Sequence, residues 1–373
     1  MGRQFGFLVG RILKPNYRLI GALFVCLIFT MAAPGLNPPV ISAETSPETP
    51  ALCQVYNDYF SIGAAVNYQT VQSHQSLLVT HFNSITAENE MKFESLQFLE
   101  GYYDFDRADT IVNFAKRNNK KVRGHTLVWH NQTPQWVFRD KSYNEASKEL
   151  LLQRMKEHIT TVVTRYNGTV YAWDVVNEAI ADDSAFYRDS PWYRIIGPEF
   201  IEYAFIYAHE ADPEAELYYN DYNAVYGDKC EKIYQLLKGL KEKGIPVHGV
   251  GIQGHWDINS PSLYEVETAI QKYASLGLKV QITELDLSLF AWGNNGKLAE
   301  PGEELLEKQA QRYRDFFELF RKYKDVITNV TFWGVADDST WKDNFPVSGR
   351  KDWPLLFDVN HQPKKAFRAV TEF

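Results

Sequence analysis

The sequence predicts an α/β fold, a single (β/α)8 barrel of the TIM type, and three observations carry that expectation. Apolar runs of strand length alternate strictly with amphipathic stretches of helical length, eight of each. Two of the runs end on a glutamate. VYAWDVVNEAI (170–180) is a nearly continuous apolar run, rich in β-branched and aromatic residues, that closes on Asn177 and Glu178; KVQITELD (279–286) has the same form and brings Glu284 to the equivalent place. Such runs suit parallel strands covered on both faces, and sites on closed barrels lie at the strands' C-terminal ends. Finally, a chain of 373 residues, 45% hydrophobic and 14% aromatic, has room for one large core, and a barrel of about 250 residues or more fills that length.

Taken in order, the first 43 residues stand apart. Arg3, Arg11, Lys14 and Arg18 form a basic head, Leu19–Ala33 is apolar, and Ile41-Ser42-Ala43 offers a small-residue cleavage site, so residues 1–43 are expected to be a secretory signal. The rival reading is an uncleaved anchor; the apolar core is shorter than the roughly 20 residues that span a bilayer. Cys26, behind Val25, fits a lipoprotein site poorly. Removing the four cations takes the net charge from −8 to −12, which argues against nucleic-acid or anionic-membrane partners. Cys53 and Cys230 remain, and spacing alone leaves a disulfide and two separate thiols equally open.

A polar linker, Glu44–Pro50, leads into residues 44–373 as one domain. Strands are expected at 61–66, 84–88, 121–128, 170–177, 216–220, 249–253, 279–283 and 327–334. Helices are expected at 70–81, 107–118, 145–166, 198–210, 229–243, 262–276, 303–323 and 363–371. No internal repeat and no low-complexity tract interrupts the alternation. Nor is a carbohydrate-binding module or dockerin expected after the barrel.

Polar side chains and tryptophans gather at the predicted strand ends: Glu88-Asn89-Glu90-Met91-Lys92, His125 with Trp129-His130, Asn177-Glu178, Asn220 to Asn223, Gln253 to Trp256, Glu284 to Asp286, and Trp333 followed by Trp341. Amides, charges and imidazoles that fork to hydroxyls, with indole faces for pyranose C–H faces, describe a sugar site.

The motifs ITAENEMK (85–92), RGHTLVWH (123–130), WDVVNEA (173–179), IQGHW (252–256), ITELD (282–286) and FWGVAD (332–337) resemble, in order and spacing, glycoside hydrolase family 10, the retaining endo-β-1,4-xylanases. The resemblance runs from about Phe60 to Phe373 and implies roles residue by residue. Glu178 matches the acid/base and Glu284 the nucleophile, an assignment that requires their pKa values to be driven apart, Glu178 upward and Glu284 downward. His255 matches the histidine bonded to the nucleophile, with Asp286 orienting its ring, and Asn177 the residue on the 2-hydroxyl. Glu88, Asn89, Lys92, His125, Trp129 and Gln253 match the subsites for the non-reducing side. Trp333 and Trp341 match aromatic walls, and Tyr222 would line the leaving-group side. The sequence departs from the family pattern at Asp337-Asp338-Ser339-Thr340, where a lysine- and tyrosine-containing loop is common, and Gly254 falls at a variable position.

The expectation is thus a secreted, monomeric endo-1,4-β-xylanase acting on xylan and xylo-oligosaccharides, with no cofactor, no metal and no stable membrane association. Two alternatives stay open: the same chemistry on β-1,4-glucan or aryl cellobiosides, and a non-catalytic glycan-binding or inhibitor barrel. His125 and His130, five apart in a predicted strand, are expected on opposite faces, which disfavours a metal site that includes His255. His81, His158, His209 and His248 are expected to pack or face solvent, and Trp136, Trp173, Trp192 and Trp353 to belong to the core.

Overall fold

The computed structural model describes residues 49–373; the expected signal segment and most of the 44–50 linker lie outside the described residues. Eight parallel strands close into a barrel: β1 (Ser61–Val66), β2 (Ser84–Ala87), β3 (Lys121–Val128), β4 (Val170–Asn177), β5 (Glu216–Asp221), β6 (Gly249–Ile252), β8 (Lys279–Ser288) and β9 (Ile327–Phe332). Each pairs with its neighbours in chain order, β9 returns to β1, and a β6–β8 ladder completes the ring. A short ninth strand, β7 (His255–Asp257), rides on the C-terminal half of β8, with His255 opposite Asp286. The barrel strands are buried along nearly their whole length, as runs with apolar residues on both faces require.

Helices cover the outside because each offers one apolar stripe. In Asp106–Arg117 the buried residues Ala108, Ile111, Val112 and Ala115 follow the i, i+3, i+4, i+7 spacing. Lys148–Arg165 starts where Ser147 Oγ accepts from the Leu150 amide at 3.2 Å, and Leu263–Ala274 starts on a Ser262/Glu265 capping box.

The barrel's interior carries an ionic layer beneath its C-terminal mouth. Arg123 on β3 forms a two-pronged pair with Asp174 on β4, both wholly buried, and its Nε donates to Gln281 Oε1 at 2.7 Å across the ring. Beside it Gly124 is obligatory, since a Cβ there would sit 2.1 Å from Trp173 Cε3. This layer supports the site above it, because Asp174 also holds His125 Nδ1 at 2.9 Å.

The architecture follows the expected alternation, with differences that have local causes. The sixth strand stops at Ile252 because Gly254 turns with φ +78°, and the chain resumes extension as β7. Pairing with β7 in turn carries β8 on to Ser288, well past the expected end at Thr283. The helix expected over 70–81 is two pieces, Thr70–Ser73 and Gln75–His81, parted at His74. Short helices at Leu52–Val55, Phe93–Leu96 and Pro191–Ile196 had no periodicity long enough to announce them. Trp173 and Trp192 are core residues as expected, but Trp136 and Trp353 are only partly buried. Among the histidines, His81 and His158 are buried, with His158 stacked 3.5 Å from the Phe93 ring. Cys53 and Cys230 are separate thiols.

Candidate active site

The C-terminal ends of the strands open into a cleft of about 860 Å³. Its floor is built from β4. The strand ends at Asn177, and Glu178 turns into the left-handed region at φ +56°, a conformation that costs a side-chain-bearing residue about 1–2 kcal/mol. Several bonds hold it there. The Glu178 amide donates to Asn220 O at 2.9 Å, Arg188 Nε donates to Glu178 O at 2.8 Å, and the amides of Ala179 and Ile180 share the Tyr219 hydroxyl at 3.0 and 3.1 Å. A strained backbone fixed by its surroundings aims the carboxyl back over the barrel. There Oε1 accepts from Gln253 Nε2 and Oε2 from Trp129 Nε1, both at 2.9 Å.

Glu284, on β8, is held by a different set. Oε1 accepts from Asn220 Nδ2 at 2.8 Å, and Oε2 lies 3.0 Å from His255 Nε2. The other ring nitrogen, Nδ1, is 2.8 Å from Asp286 Oδ2, which also accepts from Trp341 Nε1 at 2.8 Å. Burial by itself would strip the proton from His255. The Asp286 and Glu284 carboxylates outweigh it and raise the imidazole to about 9, so the ring is an imidazolium at neutral pH. Burial also works against the charge on Glu284, but hydrogen bonding from His255, the charges of His125 and His255, and the Asn220 amide hold that carboxyl below its ordinary value.

The two acids are joined through amides. From Glu178 Oε1 the path runs to Gln253 Nε2, Asn177 Oδ1, Asn220 Nδ2 and Glu284 Oε1, in steps of 2.9, 3.4, 2.9 and 2.8 Å. The carboxylates therefore stand no farther apart than those four steps laid end to end, across the floor of one cleft.

One flank carries Glu88, Asn89 and Lys92 after β2. Lys92 Nζ donates to Asn89 Oδ1 at 2.9 Å and Gln132 Oε1 at 2.8 Å, and lies 4.9 Å from the Trp129 ring centre. Burial lowers its pKa, against the charges of Glu284, Glu88 and Glu178; burial likewise raises Glu88. The other flank holds Tyr222, whose hydroxyl joins Asp182 and accepts from Arg188 Nη2 at 2.6 Å. Behind it, wholly buried Asp221 is pushed up to about 7 by burial, against Lys229 at 2.9 Å and assisted by the charge of Glu178.

Every sequence-predicted catalytic and substrate-binding residue lines this cleft: Glu88, Asn89, Lys92, His125, Trp129, Asn177, Glu178, Tyr222, Gln253, His255, Glu284, Trp333 and Trp341. Asp286 lies behind His255, where a supporting residue belongs. His125 and His130 both line the cleft, contrary to the expectation of opposite faces, because β3 ends at Val128 and alternation lapses before His130. Residues the sequence did not single out also contribute: Gln132, Arg188, Trp292 and Phe345 on the wall, and Asn220 as the link between the acids. Asn220 stood at a predicted strand end, and that position was its only signal. The others come from loops without a legible period.

A closed barrel with two buried glutamates facing one polar, indole-walled cleft defines a glycoside hydrolase. The profile of glycosyl hydrolase family 10 matches residues 51–373, and the chain belongs to that family. It is 57% identical over 323 residues to an endo-1,4-β-xylanase of Geobacillus stearothermophilus, covering 86% of this chain and 98% of the relative. It is 53% identical over 328 residues to a β-1,4-xylanase of Dictyoglomus thermophilum, covering 87% and 92% of the two chains. The crystal structure of xylanase XynB from Paenibacillus barcinonensis with a conduramine derivative superposes with a TM-score of 0.86 at 52% identity, over 87% of this chain and 99% of that one.

Proposed function

We propose that this family 10 enzyme is a secreted endo-1,4-β-xylanase that cleaves internal bonds of xylan with retention, by double displacement. The observation that carries the reading is the unequal surroundings of the two acids. Glu284 faces an imidazolium, which keeps it ionised and ready to attack the anomeric carbon. Glu178 has no imidazolium against it and is oriented by the Gln253 amide and the Trp129 indole, one on each oxygen, and in this reading it takes the proton-transfer role.

In the first step Glu178 protonates the leaving glycosidic oxygen while Glu284 forms a glycosyl ester through an oxocarbenium-like transition state. In the second, Glu178 takes a proton from the water that releases the sugar. Retention requires carboxyl groups about 5–5.5 Å apart, whereas inversion needs about 6.5–9.5 Å. Asn177, whose Oδ1 is already fixed by Asn220 and Gln253, meets the 2-hydroxyl beside the scissile bond. Glu88, Asn89, Lys92, His125, Trp129 and Gln253 hold the non-reducing side, Trp333 and Trp341 wall the cleavage point, and Tyr222 lines the leaving-group side. Residues 1–43 act as the secretion signal and the mature chain works as a monomer.

Xylan rather than β-1,4-glucan is favoured by the names of the relatives, and Lys92, Trp333 and Trp341 on the cleft wall are the residues that would have to exclude a glucose hydroxymethyl. Product analysis on xylan and on carboxymethylcellulose, with NMR of the first anomer released, tests the proposal. β-Anomeric xylo-oligosaccharides from xylan are expected, and an α-anomer or a preference for the cellulose would refute it.

A further inference from the structure

On the barrel's rim but outside the cleft, His74, Asp338 and His361 bring three potential ligand atoms within 4.8 Å of one another. His74 Nε2 lies 2.9 Å from Asp338 Oδ1 and His361 Nε2 3.3 Å from Asp338 Oδ2, with the two ring centres 4.4 Å apart. Each imidazole thus addresses its own carboxylate oxygen. Two ligands about 2.0–2.2 Å from a tetrahedral ion stand roughly 3.4 Å apart, so small rotations of existing side chains reach that geometry.

Two features give the cluster the form of a site. His74 is only 3% exposed, and its Nδ1 lies 2.8 Å from Ser73 Oγ; a serine accepting from Nδ1–H leaves the Nε2 lone pair free for a ligand bond. His361 holds a left-handed backbone at φ +62°, in a turn pinned where the amides of Asn360 and Gln362 donate to Asp358 Oδ1, both at 2.8 Å. That turn aims its ring at the carboxylate. The side chains of Asp338 and His361 are 35% and 34% exposed, which leaves room for a water.

We propose that His74, Asp338 and His361 bind one divalent transition ion of the zinc type, with water completing four-coordination. Two imidazole nitrogens and one carboxylate oxygen suit zinc or cobalt, whereas calcium and magnesium take oxygen ligands.

The position gives the ion a purpose. His74 follows β1, Asp338 lies in the short turn after β9, and β1 and β9 are the first and last strands of the barrel, paired side by side. His74 and Asp338 are separated by 264 residues, so the ion would clasp the seam at which the ring closes. Asp338 also stands in the loop that leads to Trp341, whose indole reaches Asp286. This is the loop whose sequence departs from the pattern common in the family.

The test uses the full chain after EDTA treatment and buffer exchange. Cobalt(II) is expected to give the visible d–d bands of a four-coordinate site at one equivalent per chain, and zinc to displace it. Zinc at a hundredfold excess over its Kd is expected to raise Tm by roughly 3–5 °C, reversibly with EDTA. Both signals are expected to vanish in His361→Ala and in Asp338→Asn, with folding of each variant checked by circular dichroism and by turnover of xylan. Absence of the bands, as when both rings simply donate Nε2–H to the carboxylate, overturns the proposal. So do bands, or a zinc shift in Tm, that persist in the two variants.

Discussion

Replacing Asp286 by Asn removes the strongest support for the charge on His255 while preserving shape. The side chain is wholly buried and meets His255 Nδ1 and Trp341 Nε1, each at 2.8 Å. Holding the imidazole at about 9 rather than 6.5 corresponds to roughly 3 kcal/mol in favour of the imidazolium. Burial opposes that preference and Asp286 leads the groups that sustain it, with Glu284 next. In Asp286→Asn the ring is therefore expected to fall back toward its ordinary value, and Glu284, deprived of a full positive charge at 3.0 Å, to rise. The sign follows from linkage. A group whose folded pKa is raised contributes stability in full below about 6.5, and loses it as the pH climbs through about 9. Wild type should thus exceed the variant in stability most at pH 6, with the gap narrowing toward pH 9. Activity on an aryl xylobioside should fall roughly 10–100-fold at neutral pH, about 1.4–2.8 kcal/mol, and the acidic limb of kcat/KM should move upward as the nucleophile becomes harder to ionise. NMR titration of the histidines, with His255→Asn to identify the resonance, reads the first effect; denaturation at several pH values and the pH–rate profile read the others. A variant whose His255 still titrates near 9, or a stability gap that stays flat across that window, refutes the reasoning.

Three further perturbations have expected outcomes of the same kind. Glu178→Ala should cost natural xylan far more rate than an activated aryl glycoside, because only a poor leaving group needs the proton; equal losses in steady-state assays would remove Glu178 as the acid. Gly251→Ala would place a Cβ 2.2 Å from Asn220 Oδ1 and 2.9 Å from Thr283 Cγ2, so it should destabilise by about 1–3 kcal/mol and lower kcat by displacing the link between the acids. Urea unfolding and turnover would check both, and an unaltered kcat would show that Asn220 does not set their positions. Arg123→Met should cost about 3–5 kcal/mol by stranding the buried Asp174 carboxylate, whereas a double replacement with apolar residues of matched volume should recover most of it; a single variant as stable as wild type in denaturant melts would contradict the ionic layer's role.

What the sequence made legible was whatever a strand could carry within itself. Asn177 and Glu178 close the apolar run of β4, while His125 and Glu284 are polar interruptions within the runs of β3 and β8, and both kinds of mark are visible in a strand's own residues. The hidden part lies between strands. Asn220 stands level with Asn177 only after β4 and β5 slip in register between Asp174 and Val176, and from there its amide reaches Asn177 and Glu284. A register shift of one residue exchanges the faces of a strand, so alternation read along one segment cannot say which of Asn220 and Asp221 turns toward Glu284. His130 escapes the alternation because β3 and β4 slip in register between His125 and Val128 and because it lies two residues beyond the end of β3. The His74, Asp338 and His361 cluster was further out of reach: no spacing in the chain relates residues 264 apart, and closure of the ring alone makes them neighbours. The structure adds least where the backbone of a single segment decides, and most where β1 meets β9 and where β7 lies along β8. His255 depends on that second meeting: the turn at Gly254 lets the chain resume as β7, and the β7–β8 register then sets its ring between Glu284 and Asp286. A charge state that no local motif encodes is thereby fixed by one extra pair of hydrogen-bonded strands.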